Sequence, residues 1–324
     1  MRKYDFVKNI DGDKSEFERS LDDLCSYDVA PVKDRERRGG AIAFNIFRYG
    51  LLLLFVGIFA YCVFMIGQKS VDYVRADDIY SDLAERFESD DFAQGVGSEV
   101  LHMSQGSAEA ALPDFNERLE GKLPEQAPAT TGGAVARAKI AALKELNPDA
   151  VAWIMVDGTR ISLPIVQGED NEEYLNIAFD GSENWAGTVF LDSESSPNVL
   201  ENYNYVTFGH NMEGKQMYSD VTRFLEEEFF YANRYITLYT EQGLFTYEIF
   251  AAFKTRMDHK YYHTYFESPR EFCDFMYDMK YTSMYVVEDM EFTEDDRIIT
   301  LSTCTNENGV ERYALQGKLI KVEI

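Results

Sequence analysis

Three residues whose side chains can carry out acyl transfer lie in separate stretches of the chain: Cys304, His210 and Arg312. Cys304 ends the run IITLSTC (298–304), which is typical of a buried β-strand, and turn-forming residues follow it. A strand end beside a loop is where a rigid scaffold can present a nucleophile. A lone cysteine is more often a buried structural residue, so Cys304 indicates catalysis only with partners.

His210 is the candidate base. It follows the run YVTFG (205–209), in which Gly209 lets the backbone turn. A thiol with its ordinary pKa of about 8.5 is mostly protonated at neutral pH, so a nucleophilic cysteine needs a neighbouring base or cation. An isolated histidine is more often a packed or solvated side chain. We expect His210 to reach Cys304 if their strands are neighbours or if a barrel closes between them.

Arg312 is the candidate for stabilising negative charge. It lies in VERYAL (310–315), and a chain reversal at 306–309 would carry this strand back past Cys304. Its permanent charge and forked donors suit an oxyanion or a substrate backbone. A surface arginine paired with Glu311 or another acid is the alternative that these residues alone leave open.

The elements that must position these residues are mostly strands. Short runs rich in β-branched and aromatic residues alternate with turn residues, and they are VAWIMV, RISLPIVQ, GTVFLD, YNYVTFG, YITLYT, LFTYEIFAAFK, RIITLSTC and VERYALQGKLIKVEI. They predict a mainly β fold, an eight-stranded closed or nearly closed barrel. Peripheral helices are expected from about Ala134 to Pro148 and at 170–175, 215–230 and 268–281, the last inserted before the cysteine-bearing strand.

The run YGLLLLFVGIFAYCVFMIG (49–67) has no charged residue and is long enough to cross a hydrocarbon layer of about 30 Å. A cleaved signal peptide and a buried helix are the alternatives. The run lies far from the start and lacks a small-x-small site, which favours an uncleaved anchor. More basic residues precede it than follow it, so we expect the N-terminus to be cytoplasmic.

The predicted organisation has four parts. They are a cytoplasmic tail (1–48), a transmembrane anchor (49–67), an acidic extracytoplasmic linker (68–133) with one helix near Val71–Phe87, and a catalytic domain (134–324).

Composition excludes one class of partner. The formal charge is −26, from 57 acidic and 31 basic residues, and such a surface repels phosphate, so no nucleic acid is expected. The cysteines Cys25, Cys62, Cys273 and Cys304 are too few and too scattered for a disulfide framework. Cys273 is expected in the core and Cys62 in the membrane-spanning helix.

No cofactor and no metal are expected. His259 and His263 have a spacing that suits zinc on a helix, but their aromatic neighbours favour strand or loop and no third ligand is evident. This aromatic stretch is expected to border a peptide groove or to pack. The acidic clusters at 226–228 and 294–296 are more typical of a solvated face than of a calcium site.

Taken together, TLSTC (300–304), FGHNM (208–212) and Arg312 resemble the signature of sortases. The resemblance extends over 134–324 and includes the strings WIMVDGTRISLPIVQGEDNEEYLN (153–176) and GTVFLD (187–192). The string DNEEYL and the helix before the cysteine strand are similar to class B rather than class A members. One departure is Phe208, where class B members often have Tyr.

The resemblance implies a cysteine transpeptidase in the cell membrane that acts on secreted surface proteins with a C-terminal sorting signal containing Pro and Thr. Cys304 would attack the carbonyl after the Thr and form a thioacyl enzyme. His210 would transfer protons to the leaving amine and from the incoming one, which belongs to a peptidoglycan precursor or cross-bridge. Arg312 would steady the oxyanion. Asn171, Leu175 and Ser302 match positions that line the groove in class B.

Three other functions stay open on the sequence. A cysteine peptidase would pass the acyl group to water, and a pilus-polymerising sortase would pass it to a pilin lysine. A non-catalytic anchored protein would keep only the barrel.

Overall fold

The computed structural model describes residues 35–89, 92, 131–212, 216–256, 258–304 and 311–324. The chain forms two compact units, one up to Met65 and one comprising Ile66–Ile324. Helix α1 (Arg35–Glu88) contributes to both. Within α1, the stretch Phe44–Glu88 is long and apolar enough to cross a membrane by length and composition. The predicted tail before residue 35 and most of the predicted linker lie outside the described residues, so the domain boundaries stay predictions.

Among the residues that the structure describes after α1, there are three further α-helices and four 3₁₀ turns. The helices are α2 (Thr131–Leu146), α3 (Glu227–Ala232) and α4 (Pro269–Thr282), and the turns are Glu173–Leu175, Val199–Glu201, Ser219–Leu225 and Lys260–Tyr262. The start of α4 follows from its sequence, because the Ser268 Oγ accepts a hydrogen bond from Glu271 N (3.2 Å) and Pro269 takes the first helical position.

Eight strands close a barrel in the order β1-β2-β3-β4-β7-β8-β6-β5. They are β1 (Ala150–Val156), β2 (Ser162–Val166), β3 (Val189–Leu191), β4 (Asn204–Phe208), β5 (Tyr235–Thr240), β6 (Leu244–Arg256), β7 (Ile298–Cys304) and β8 (Glu311–Glu323). The pairs β2–β3 and β4–β7 are parallel, and the other pairs are antiparallel. The predicted eight-stranded barrel with peripheral helices is confirmed.

The alternation of side chains along the strands determines which residues form the core. In β5, Ile236, Leu238 and Thr240 are buried while their neighbours are more exposed, as alternation on a one-sided strand requires. The middle of β6, from Ile249 to Phe253, is buried on both faces, because α4 packs Phe272 and Met276 into the same cluster as Phe250. The helix inserted before β7 therefore completes a second core outside the barrel.

The last part of α1 packs against the barrel. Ala76, Tyr80, Leu83 and Phe87 recur at helical spacing, and all four are buried. The ring of Phe87 stacks on Trp153 with ring centroids 4.1 Å apart and an interplanar angle of 6°. This segment, which has the composition of a charged linker helix, is thus part of the folded unit.

Replacement of Phe87 by alanine tests this packing. We expect Phe87→Ala to lower the free energy of unfolding by about 3–5 kcal/mol, because a buried aromatic ring is lost and a cavity remains. Urea denaturation of the full chain in detergent micelles measures the change. The control is Val74→Ala on the same helix, where the side chain is 62% exposed and the effect should stay within about 0.5 kcal/mol. Equal stability of the two variants would contradict the packing.

Candidate active site

The parallel pairing of β4 with β7 brings two of the predicted site residues to one rim of the barrel. Phe208 and Ser302 are register partners at the ends of the pairing. Just beyond them, Gly209 N donates a hydrogen bond to Ser302 O (3.1 Å). His210 is the next residue after Gly209, and Cys304 lies two positions beyond Ser302 at the end of β7. The backbones that carry the imidazole and the thiol therefore leave the sheet side by side.

Arg312 joins them through the antiparallel pairing of β7 with β8. Its Cα is the register partner of the Cα of Cys304. Its Nη1 donates to Glu311 O (2.9 Å), and the Glu311 carboxylate lies 3.1 Å from Lys254 Nζ on β6. The predicted turn at 306–309 lies outside the described residues. The backbone positions of all three predicted catalytic residues are thus brought together, while their catalytic roles stay predictions.

Gly209 is required by a close approach. A Cβ at this position would lie 2.9 Å from the ring carbons of Tyr218, nearer than real Cβ contacts allow. The same residue, Tyr218, donates its backbone N–H to His210 O (3.0 Å), and its hydroxyl is 2.8 Å from Thr207 Oγ1. The backbone around His210 is therefore fixed on both sides. Gly209 bonds to Ser302 on the neighbouring strand, and Tyr218 bonds to the carbonyl of His210.

The imidazole of His210 has a defined orientation. Its Nε2 lies 2.8 Å from Leu175 O. A carbonyl oxygen can only accept a hydrogen bond, so Nε2 must carry a proton, and in the neutral ring Nδ1 is then the nitrogen free to accept one. Gly187, with φ of +59°, makes room for this carbonyl, because a Cβ there would lie 2.5 Å from Leu175 O.

The turn that presents the Leu175 carbonyl is itself fixed. The Tyr174 hydroxyl donates to Asp149 Oδ2 (2.6 Å), and Asp170 Oδ1 accepts from Glu173 N (3.0 Å). Burial, followed by the hydrogen bond to Asp149, raises the pKa of Tyr174 to about 12. The phenol therefore remains a neutral donor at physiological pH and keeps the turn in place.

An aromatic ring lies beside the imidazole. Trp185 and His210 have nearly parallel rings, with an interplanar angle of 7° and centroids 6.4 Å apart. The ammonium of Lys69, on α1, lies 4.5 Å from the centroid of the Trp185 ring. Such a cation–π contact contributes about 0.5–1 kcal/mol at an exposed site. Neither Trp185 nor Lys69 is singled out by the sequence patterns.

The predicted groove residues contribute in different ways. Asn171 Oδ1 accepts from Ser193 N (2.8 Å), and its Nδ2 lies 3.3 Å from Asp192 Oδ2, so Asn171 holds the loop after β3. Ser302 is only 1% exposed, and its hydroxyl lies 2.7 Å from the hydroxyl of Tyr261. Substrate binding by Asn171, Leu175 and Ser302 stays a prediction.

A buried polar network fixes the segment that carries Tyr261. Thr300 Oγ1 donates to Asn204 Oδ1 (2.7 Å), and Gln316 Nε2 donates to Thr300 Oγ1 (2.9 Å) and to Tyr261 O (3.1 Å). Asn204 Nδ2 also donates to His263 O (3.0 Å). Leaving any of these buried groups without a partner would cost about 1–3 kcal/mol, so the segment is held firmly against β4, β7 and β8.

His259 and His263 flank the 3₁₀ turn Lys260–Tyr262. Within the part of the chain that the structure describes, no group of three or more His, Cys, Asp or Glu side chains could hold a metal ion. Cys273 is buried in α4, as expected, and Cys62 is exposed on α1.

Comparison with known proteins agrees with this architecture. The family model described as Sortase domain matches residues 154–320. The chain belongs to the sortase family. It is 36% identical over 182 residues to the sortase B of Listeria monocytogenes, covering 55% of this chain and 72% of that protein. It is 30% identical over 188 residues to the sortase B of Staphylococcus aureus, covering 57% and 76%.

A solved structure gives the same result. The sortase B of Clostridium perfringens superposes with a TM-score of 0.53 and 33% identity, covering 56% of this chain and 99% of that one. The present sortase is therefore a cysteine transpeptidase of class B, and the resemblance carried by TLSTC and FGHNM is confirmed. The apolar helix α1 fits the membrane anchoring of a sortase.

Three features of this sortase site are not indicated by the sequence patterns. The Leu175 carbonyl has no signal in residue type, because any residue supplies a carbonyl. Tyr261 lies in the aromatic run that was expected to border a groove or to pack, but its contact with Ser302 is tertiary. Trp185 is one of only two tryptophans in the chain, which is the one signal that could have drawn attention to it.

The orientation of His210 gives a spectroscopic prediction. Once the imidazole is neutral, we expect the Nε2–H tautomer, because Leu175 O holds that proton. Nitrogen-15 NMR of the full chain in micelles distinguishes the two ring nitrogens. Leu175→Ala is the matched control, since it removes the side chain and keeps the carbonyl, and it should leave the tautomer unchanged. A dominant Nδ1–H form in the unaltered protein would contradict the assignment.

Proposed function

We propose that this sortase is a single-pass membrane enzyme that cleaves a sorting signal after Thr and transfers the protein to a cell-wall amine. The observation that supports the proposal is the register of β4, β7 and β8, which brings the backbone positions of His210, Cys304 and Arg312 close to one rim. Membership of the sortase family supplies the reaction type. The identities of the nucleophile, the base and the oxyanion donor are our assignment to these residues.

In the first half-reaction, Cys304 is the nucleophile. Its thiol proton passes to Nδ1 of His210, and the sulfur forms a bond with the carbonyl carbon of the Thr. The C–N bond then breaks as Nδ1 returns the proton to the leaving amine, and a thioacyl enzyme remains. The hydrogen bond from Nε2 to Leu175 O supports this role for Nδ1.

Arg312 is assigned to the negative charge of the tetrahedral intermediate. Its register position opposite Cys304 supports this assignment, because a guanidinium on the adjoining strand is near the bond that forms. Donors aimed at developing charge act without reorganisation during the reaction.

In the second half-reaction, an incoming amine attacks the thioester. Nδ1 of His210 takes a proton from this amine as the new amide forms. The C–S bond breaks, and Nδ1 passes that proton to the sulfur, which restores the thiol of Cys304. Water would give hydrolysis in place of transfer, so the partition between the two is set by access of the amine. The groove wall is assigned to Asn171, Leu175 and Ser302, with Tyr261 supporting Ser302.

We also propose that the N-terminus is cytoplasmic and that the barrel lies on the extracytoplasmic side of the membrane. The basic residues Lys33, Arg35, Arg37, Arg38 and Arg48 before the apolar run support this orientation. The substrates are then secreted surface proteins and the acceptor is a peptidoglycan precursor or cross-bridge amine.

Replacement of the nucleophile tests the reaction. Cys304→Ala should abolish cleavage of sorting-signal peptides, because no other group forms the thioacyl bond. The full chain in micelles is incubated with a peptide library, and the acyl-enzyme is identified by its mass. Cys273→Ala is the control, since this thiol is buried in α4 and should leave acylation intact. Undiminished cleavage by Cys304→Ala would remove the assignment, and comparing products with and without an amine separates transfer from hydrolysis.

Replacement of the arginine tests the oxyanion role. We expect Arg312→Lys to lower kcat by about 10²–10³, the loss typical of one oxyanion donor, because an ammonium does not reproduce the fork. Steady-state cleavage of the peptide selected above measures the loss. Arg270→Lys is the control, because Arg270 is exposed on α4 and pairs with Asp274. Near-normal turnover by Arg312→Lys would take Arg312 out of the catalytic set.

A further inference from the structure

The part of α1 that belongs to the barrel unit contacts different parts of the barrel at successive positions along the helix. Near its start, Lys69 Nζ lies over the ring of Trp185, and Asp72 O accepts a hydrogen bond from Asn184 Nδ2 (3.1 Å). Asn184 and Trp185 are neighbours in the loop between β2 and β3. This loop is therefore fixed beside the first turns of the segment.

Further along the helix, different parts of the barrel are in contact. The Tyr80 hydroxyl donates to Gly187 O (2.5 Å), and Phe87 stacks on Trp153. At 1.5 Å per residue, Lys69 lies about 3 Å beyond Gly67 along the helix axis and Phe87 lies about 30 Å beyond it. Within this unit, the barrel therefore has one edge near Gly67, marked by Trp185, and another part near Phe87, marked by Trp153.

The edge near the apolar run carries the residue types found at lipid–water boundaries. Trp185 is 46% exposed, whereas Trp153 is fully buried. Val71 and Val74, on the same helix, are each 62% exposed. Tryptophan is enriched at membrane interfaces because its ring is amphipathic, and lysine extends its apolar stem there while its ammonium stays in water.

We propose that the barrel edge bearing Trp185 rests in the membrane–water interface and binds the headgroup region of the lipid bilayer. The inference depends on the proposed membrane anchoring. The argument for lipid as the occupant rests on the continuity of the chain. Lys69 lies two residues, or about 3 Å along the helix axis, beyond Gly67. The side chain of Lys69 contacts Trp185, so this edge stays within reach of one lysine side chain from the end of the apolar run.

The proposed position of Trp185 brings the reaction close to the lipid. The ring of His210 lies parallel to that of Trp185 at 6.4 Å, so the proton-transfer step takes place within one or two side chains of the lipid surface. A substrate held by the same membrane then reaches the rim without extending far from it. The anchor and the position of Trp185 together restrict the reaction to acyl donors and amines that are present at this surface.

Tryptophan fluorescence tests the inference, because the chain has only two tryptophans. The full chain is reconstituted into phosphatidylcholine vesicles with and without bromine atoms near the carbonyl end of the acyl chains. We expect brominated lipid to quench part of the emission of the unaltered protein. Trp185→Phe should lose that quenched part, because Trp153 is buried and distant. Circular dichroism verifies that the variant keeps the barrel.

The outcomes separate this inference from the anchoring on which it depends. A chain that floats with the vesicles in a density gradient but shows equal quenching before and after Trp185→Phe overturns the interfacial position and leaves the anchoring intact. A chain that does not float overturns both. Quenching that Trp185→Phe removes supports the proposal.

Discussion

The parallel pairing of β4 with β7 is the constraint on which the site depends. Parallel neighbours cannot be joined by a tight turn, and here the connecting chain includes β5, β6 and α4. A slip of one residue would turn every side chain of β7 to the other face of the sheet. Buried polar groups select the observed register, because Thr300 Oγ1 meets Asn204 Oδ1 while Thr207 Oγ1 donates to Thr300 O (3.2 Å). In another register these groups would lack partners.

The loop between β2 and β3 is the second determinant of the site. It supplies the carbonyl of Leu175 to Nε2 of His210, and it places Trp185 parallel to the same imidazole. Gly187 allows the close approach of the Leu175 carbonyl and accepts a hydrogen bond from Tyr80 on α1. Helix α1 therefore contacts the same loop that orients the proposed base. Each of these hydrogen bonds and ring contacts contributes only a small free energy.

The barrel and the rim could be predicted from sequence because both depend on local patterns. The strand ends at His210 and Cys304 are visible in short runs of apolar residues, and the return strand places Arg312. The docking of α1 could not be predicted in this way, since Tyr80 and Phe87 recur within an acidic, linker-like composition. The orientation of His210 also has no sequence signal, because it depends on a backbone carbonyl from a distant loop.

The acidic character of the chain has opposite effects on two events of the proposed reaction, the approach of the amine and the formation of the oxyanion. With 57 acidic and 31 basic residues, the long-range field favours the approach of a protonated amine and disfavours an oxyanion. At physiological salt this field decays over about 8 Å, so the intermediate depends on donors in direct contact. The position opposite Cys304 is occupied by Arg312, whose charge is permanent. The amine that the field attracts must still lose a proton before it can attack. Because Leu175 holds the Nε2 proton of His210, the acceptor for that proton is Nδ1.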